Sequence, residues 1–223
     1  LAACDYYPSY IDTYVERDVR TVKDIGNLSG FVRLIKLCAG RIGQLLNMSS
    51  LATECGVTIP TINSWLSVLQ SSYIIYLLQP DYRNFTKRLV KTPKLYFYDT
   101  GLACSLLEIK QASQVANHYL RGGLFENMVI NEFTKRCFNA GDRPSFTFWR
   151  DSNGNEVDLL MNNGEHIEAI EIKSGQTFSS DYFKNLKYWG KLSGENKDHR
   201  RVIFGGNQHR HTSEGELVPW SML

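Results

Sequence analysis

Apolar residues recur along this chain at two periods, and the change of period divides it. In the first half the spacing is helical. Tyr10, Tyr14 and Val15 mark one helix, with Glu16, Arg17, Asp18 and Arg20 on its polar side. Phe31 to Cys38 predicts a second, ending near Gly40. Between Met48 and Leu66 the pattern becomes more specific. Leu51 and Ala52 turn inward, Gly56 permits a tight turn, Thr58 stands as an N-cap and Pro60 falls in the following first turn. Ile62, Leu66 and Leu69 give that next helix its apolar face. This is a helix-turn-helix pattern. Tyr73 to Leu78 and Leu95 to Tyr98 read as strands around a basic loop from Pro80 to Lys94, which completes a winged helix. In a DNA-reading role Thr61, Asn63 and Ser64 face the groove. The same architecture also serves as a rigid spacer or a protein contact.

Asp99 to Arg121 reads as a helical connector, and after it the periods alternate. Leu124 to Phe138 predicts an amphipathic helix with Val129, Ile130, Phe133 and Cys137 on one stripe. A strand at Ser145 to Arg150, a hairpin, a helix at Ser180 to Leu192 and a strand at Arg201 to Phe204 follow. From Gly205 to Leu223 there is little periodicity, and His209 and His211 read as surface residues rather than ligands. The expected fold class is α/β (α+β overall). A helical winged-helix domain over residues 1–110 precedes an α/β domain with a mixed central sheet over 111–223.

The hairpin carries the chemistry. Asn-Gly favours a tight primed turn, because both central residues need positive φ. A two-residue turn centred on Asn163-Gly164 sets Leu160 opposite Ile167, Asp158 opposite Ala169 and Glu156 opposite Glu171. One face is then apolar, with Val157, Leu159, Met161, Ile170 and Ile172. The other carries Leu160, Ile167 and Ala169, then turns acidic with Glu156, Asp158 and Glu171 and ends with Lys173. Like charges opposed on a sheet are destabilising. Buried together they take up protons or gain a cation. Mg²⁺ or Mn²⁺ supplies that charge, and one or two protein carboxylates suffice for Mg²⁺. Asp158 and Glu171 are the natural pair. Glu126 joins them, because it shares the core-facing stripe of its helix. Phosphodiester hydrolysis would be the expected chemistry of such a site. Lys173 either stabilises charge on the transition state or balances the carboxylates as a simple ion pair. Glu156 is either an acid behind the ligands or part of a second metal site.

Composition adds less. The chain has 223 residues, 43% hydrophobic and 22% charged, which predicts a folded core. A net charge of +2 is too small to imply nucleic acid by itself. Lys184, Lys187, Lys191, Lys197, Arg200 and Arg201 on one side of the sequence, and Arg83, Lys87, Arg88, Lys91 and Lys94 on the other, form basic runs. They either meet phosphates or form a solvated face. Five cysteines without zinc-ligand spacing suggest a reduced, cytoplasmic setting. No apolar stretch suits a membrane span and no signal peptide is visible. The start at Leu1 suggests a piece of something longer.

The order of parts resembles a known group. Tyr10-Ile11-Asp12-Thr13-Tyr14-Val15-Glu16-Arg17-Asp18-Val19-Arg20 is similar to the segment that follows the ATPase module in a group of prokaryotic AAA-type ATPases of uncharacterised function. Tyr96 to Leu102 (Tyr-Phe-Tyr-Asp-Thr-Gly-Leu), Gly123-Leu124-Phe125-Glu126-Asn127 and Glu156-Val157-Asp158 also look like that group's motifs. The resemblance covers nearly the whole chain. It implies a winged helix followed by a restriction-endonuclease-like domain of the PD-(D/E)xK type, with Glu126, Asp158, Glu171 and Lys173 in the catalytic positions. It also implies metal ligation by Asp158, Glu171 and Glu126, DNA as a partner, and coupling to the protein's own N-terminal ATPase module. No Gly-x-x-x-x-Gly-Lys-Ser/Thr loop is present. ATP is therefore expected only in that N-terminal module.

Three functions compete on this reading. The first is a Mg²⁺- or Mn²⁺-dependent DNase. The second is a silent nuclease fold that binds DNA for the ATPase. The third is a regulatory arm that contacts only protein.

Overall fold

The computed structural model describes residues 3–14, 26–82 and 89–223. Val15, the polar positions Glu16, Arg17, Asp18 and Arg20, and the basic residues Arg83, Lys87 and Arg88 lie outside the described residues. The chain is a mixed α and β protein, helical in its N-terminal part and built on a six-stranded mixed sheet in its C-terminal part. The described residues form two compact units. One comprises those of Leu1–Leu77 and Lys94–Leu124, the other those of Leu78–Pro93 and Phe125–Leu223.

The first unit opens with α1, Ala3–Thr13. Helix α2, Leu28–Ala39, starts where the Asn27 side chain accepts the Gly30 N–H at 2.9 Å, and it buries Phe31, Leu34, Ile35 and Cys38. Helix α3, Met48–Cys55, ends at Gly56, whose φ of +67° is the left-handed value a Schellman-type cap requires. The Val57 N–H then donates to the Ala52 carbonyl at 3.0 Å. Helix α4, Ile59–Ser71, begins at Thr58, whose hydroxyl accepts the Thr61 N–H at 3.3 Å. Two short strands follow, β1 (Ile75–Leu78) and β2 (Lys94–Phe97). The first starts later than its sequence pattern suggests, because Tyr73 adopts φ +56°, which no strand tolerates. Helices α5 (Thr100–Leu106) and α6 (Ala112–Ala116) complete the connector.

Asp99 ties this unit together. Its carboxylate accepts the Leu102 N–H at 3.0 Å, capping α5, and accepts the Tyr7 hydroxyl at 3.0 Å. Burial, reinforced by Asp99, pushes the Tyr7 hydroxyl up to about 12, so it stays a donor at neutral pH. Asp99→Ala removes a cap and orphans a tyrosine. It should cost about 1–2 kcal/mol, or roughly 3–6 °C in Tm, read by a circular-dichroism melt. An unchanged Tm would contradict this role.

In the second unit, α7 (Arg121–Asn139) precedes strands β3 (Phe146–Arg150), β4 (Glu156–Asn162) and β5 (Ile167–Lys173). A 3-10 turn at Ser180–Phe183 leads into α8, Lys184–Ser193, and then β6, Arg200–Phe204. The tail expected to be irregular forms β7 (Arg210–Thr212) and β8 (Gly215–Pro219). Strand order is β3-β4-β5-β6-β8-β7. The β5–β6 and β6–β8 pairs are parallel and the others antiparallel. Phe183, Leu186 and Trp189 pack with Leu160, Ala169, Val202 and Leu217 in a core on one face of the sheet. Residues 79–81 and 89–90 bond to the outer edge of β3, through Asp81 N–H to the Phe148 carbonyl (2.7 Å) and Val90 N–H to the Arg150 carbonyl (3.1 Å). Among the described residues no helix is long and apolar enough to cross a membrane.

Candidate metal centre

The hairpin forms, but its turn sits one residue later than the Asn-Gly pair suggests. The Asn163 N–H donates to the His166 carbonyl at 3.1 Å, so Gly164 and Glu165 are the central pair. Gly164 has φ +86°, and its N–H is held by the Asn162 side chain at 2.9 Å. The Asn162 side chain thus makes the local turn that Asn163 was expected to make. Pairing moves by two residues: Leu160 stands opposite Ala169 and Leu159 opposite Ile170. A shift of two does not by itself turn any side chain to the other face. It also carries Asp158, rather than Glu156, to the level of Glu171.

A second irregularity aims Asp158. Thr147 pairs with Leu160, but Trp149 pairs with Val157, so Asp158 and Leu159 together oppose Phe148. This is a β-bulge, a feature that bends a strand and redirects a side chain. It also moves Val157 into the core of Leu160 and Ala169, not the opposite face expected from strict alternation. The paired β4–β5 ladder ends at Leu159 and Ile170. Just beyond it, Asp158 Oδ2 accepts the Ile172 N–H at 2.8 Å. The main chain of β5 therefore holds the Asp158 carboxylate in place.

Helix α7 delivers Glu126. The helix begins at Arg121, so Glu126 lies past the first turn, where the helix dipole adds little. Its direction follows from the stripe, whose Val129, Ile130 and Phe133 are buried. Carboxylate oxygens of Glu126, Glu156 and Asp158 lie within 4.8 Å of one another. Glu156 is steadied by Arg150 Nη1 at 2.8 Å, across the first pair of β3 and β4.

Glu171 and Lys173 flank this trio. Lys173 Nζ donates to Glu171 Oε1 at 2.5 Å. The other oxygen, Oε2, is buried without a hydrogen-bond partner among the described residues. Burial first, and then the charge of Asp158, drive the Glu171 carboxyl well above the usual range, against the pull of Lys173. Burial works against the charge on Lys173, but Asp158, Glu171 and Glu126 outweigh it and hold the amine above its usual value. A divalent cation would engage that Glu171 oxygen, and it would ease the burial of the Glu171 and Asp158 carboxylates side by side.

The other expected positions fare differently. Asn63 is exposed on α4, Ser64 is half-buried, and the Thr61 hydroxyl lies 2.9 Å from that of Thr58 in the cap. Lys94, placed in the basic loop by sequence, opens β2 and is only 2% exposed. Arg201 is committed to Glu168 (3.0 Å) and Glu216 (3.1 Å), and Lys187 to Glu214 (3.1 Å). Those two are structural ion pairs rather than members of a free basic run. Glu156, left in an auxiliary role by the sequence, meets Glu126 and Asp158 directly.

Fold and site together define a two-part protein whose mixed sheet carries a buried carboxylate centre. Residues 2–113 match the family described as Domain of unknown function (DUF8612), and the chain belongs to it. Residues 121–223 match a second, Domain of unknown function (DUF4143). The chain is also similar to "Uncharacterized protein Rv2008c" of Mycobacterium tuberculosis and "Uncharacterized protein Mb2031c" of Mycobacterium bovis, each 27% identical over 168 residues. The match covers 75% of this chain but only 37% of each relative. No solved structure matches.

Proposed function

We propose that the chain is the C-terminal region of an AAA-type ATPase and that its sheet domain is a Mg²⁺- or Mn²⁺-dependent nuclease-like module acting on DNA. The observation that carries this reading is the convergence of Glu126, Glu156 and Asp158 beside the buried Glu171–Lys173 pair. The second matched family occurs in AAA-ATPase-associated proteins, which supports a module working beside such a motor. ATP belongs to the motor. On this reading helices α3 and α4 with β1 and β2 serve as the winged helix, with Asn63, exposed on α4, as its groove-facing candidate.

Asp158, Glu171 and Glu126 would hold the ion, beside Glu156, which Arg150 fixes. A bound ion would supply polarisation of a phosphoryl oxygen and a more acidic water. The chain's own residues do the rest. The Ile172 N–H keeps the Asp158 carboxylate from rotating. Lys173, held cationic by its neighbours and still partly exposed, stabilises negative charge gathering on the phosphate.

A second reading has its own support. Lys173 with Glu171 and Arg150 with Glu156 already form ion pairs, so the cluster can persist as scaffold in a silent module that binds DNA or protein. Incubation with Mn²⁺ and labelled single- and double-stranded DNA separates the two. The nuclease reading predicts cleavage that Asp158→Asn abolishes. Salt-dependent DNA binding without cleavage would support the silent module instead.

A further inference from the structure

The far edge of the sheet gathers a second set of metal-ligating groups. Strands β8 and β7 close the sheet on the side opposite β3. Their hairpin is tight, with Thr212 paired to Gly215 and the Thr212 hydroxyl donating to the Gly215 carbonyl at 2.7 Å. His211 is paired with Glu216 across it, and His209 lies two residues back on the same side of the chain. Both imidazoles present Nε2 to one carboxylate oxygen, Glu216 Oε1, at 2.7 Å from His209 and 3.9 Å from His211. The three donor atoms lie within 4.8 Å of one another.

We propose that His209, His211 and Glu216 bind a transition-metal ion of the zinc type at this edge. Two imidazoles and a carboxylate suit Zn²⁺, Ni²⁺ or Cu²⁺, whereas Mg²⁺ keeps to oxygen ligands. Metal–nitrogen bonds of about 2.0–2.1 Å put tetrahedral ligand atoms roughly 3.3 Å apart. The two observed separations bracket that value, so small side-chain rotations complete the site. Glu216 is prepared for the role. Its Oε2 accepts Arg201 Nε at 3.1 Å, and Arg201 is itself balanced by Glu168 at 3.0 Å. Such outer partners orient ligating carboxylates. Three protein donors leave a fourth position for water or an incoming group. The bound ion pins β7, a three-residue edge strand, onto β8.

The test uses the untagged chain carrying Asp158→Asn, which disables the carboxylate centre, and repeats it on the unsubstituted chain in excess Mg²⁺. Zn²⁺ calorimetry and Co²⁺ absorption should both show one bound ion that Mg²⁺ does not displace. His209→Ala and His211→Ala, both at solvent-accessible positions, should each weaken it by about tenfold or more. In the unsubstituted chain, Zn²⁺ should shift the imidazole NMR signals of His209 and His211 and spare His118. Absence of Zn²⁺ binding, or equal binding by the His209→Ala, His211→Ala double variant, would overturn the proposal. Failure of the nuclease reading would leave it untouched, because the two sites share no residue.

Discussion

On the proposed nuclease function, Lys173→Met should lower metal-dependent cleavage by about 10²–10³-fold, the usual cost of removing one electrostatic stabiliser of a transition state. Mn²⁺ affinity should survive within about tenfold, because the lost ammonium competes with the ion rather than ligating it. That split gives the substitution its meaning. Lys173 bonds to Glu171 on one side and keeps a third of its side chain exposed on the other. A lysine that only neutralised carboxylates would leave turnover nearly unchanged when replaced. Single-turnover cleavage and Mn²⁺ calorimetry on the same preparations separate the roles. Equal cleavage by both proteins would reduce Lys173 to an ion-pair partner.

Glu171→Gln should make the metal-free protein more stable at neutral pH while removing most of the stabilisation that metal provides. The sign follows from the raised carboxyl. A group whose folded pKa exceeds its unfolded value, about 4.3 for glutamate, favours folding in its protonated form. That contribution is full below the unfolded value and is lost as pH rises through the folded one. Metal-free native protein therefore loses stability as pH climbs from the ordinary glutamate range. The substituted amide never ionises, so it should flatten this dependence. The gain should appear at neutral pH as a higher Tm for the metal-free variant. Metal at a hundred times its dissociation constant should add about 2.7 kcal/mol to the native chain and far less to the variant. A lower metal-free Tm for Glu171→Gln would show that the carboxylate stabilises the fold by itself.

What the sequence revealed, and what it concealed, follows from the range of the forces involved. Caps and turns are local. Thr58, Pro60 and Gly56 therefore placed α3 and α4 correctly from residue type alone. The apolar stripe on α7 likewise gave the inward direction of Glu126. The hairpin was legible as a hairpin, but two neighbouring asparagines compete for its turn. Asn162 wins by bonding the Gly164 N–H, and the register moves by two. The bulge at Asp158 has no local signature, because it depends on how β3 meets β4. It is also what lets Val157 join the core while Asp158 faces the Ile172 N–H. Strands β7 and β8 were missed for a similar reason. Arg210-His211-Thr212 is polar throughout, and its pairing is set by β8 lying parallel to β6. The basic runs misled in the other direction. Charge in sequence says nothing about commitment, and Arg201 is spent on two glutamates.

The central claim is that the carboxylates of the sheet hold a divalent ion. Calorimetric titration of Mn²⁺ into the native chain and into its Asp158→Ala, Glu171→Ala variant tests it most directly. The account predicts a bound ion in the native chain that the variant does not take up. Equal binding by both chains, or none by the native one, would contradict it.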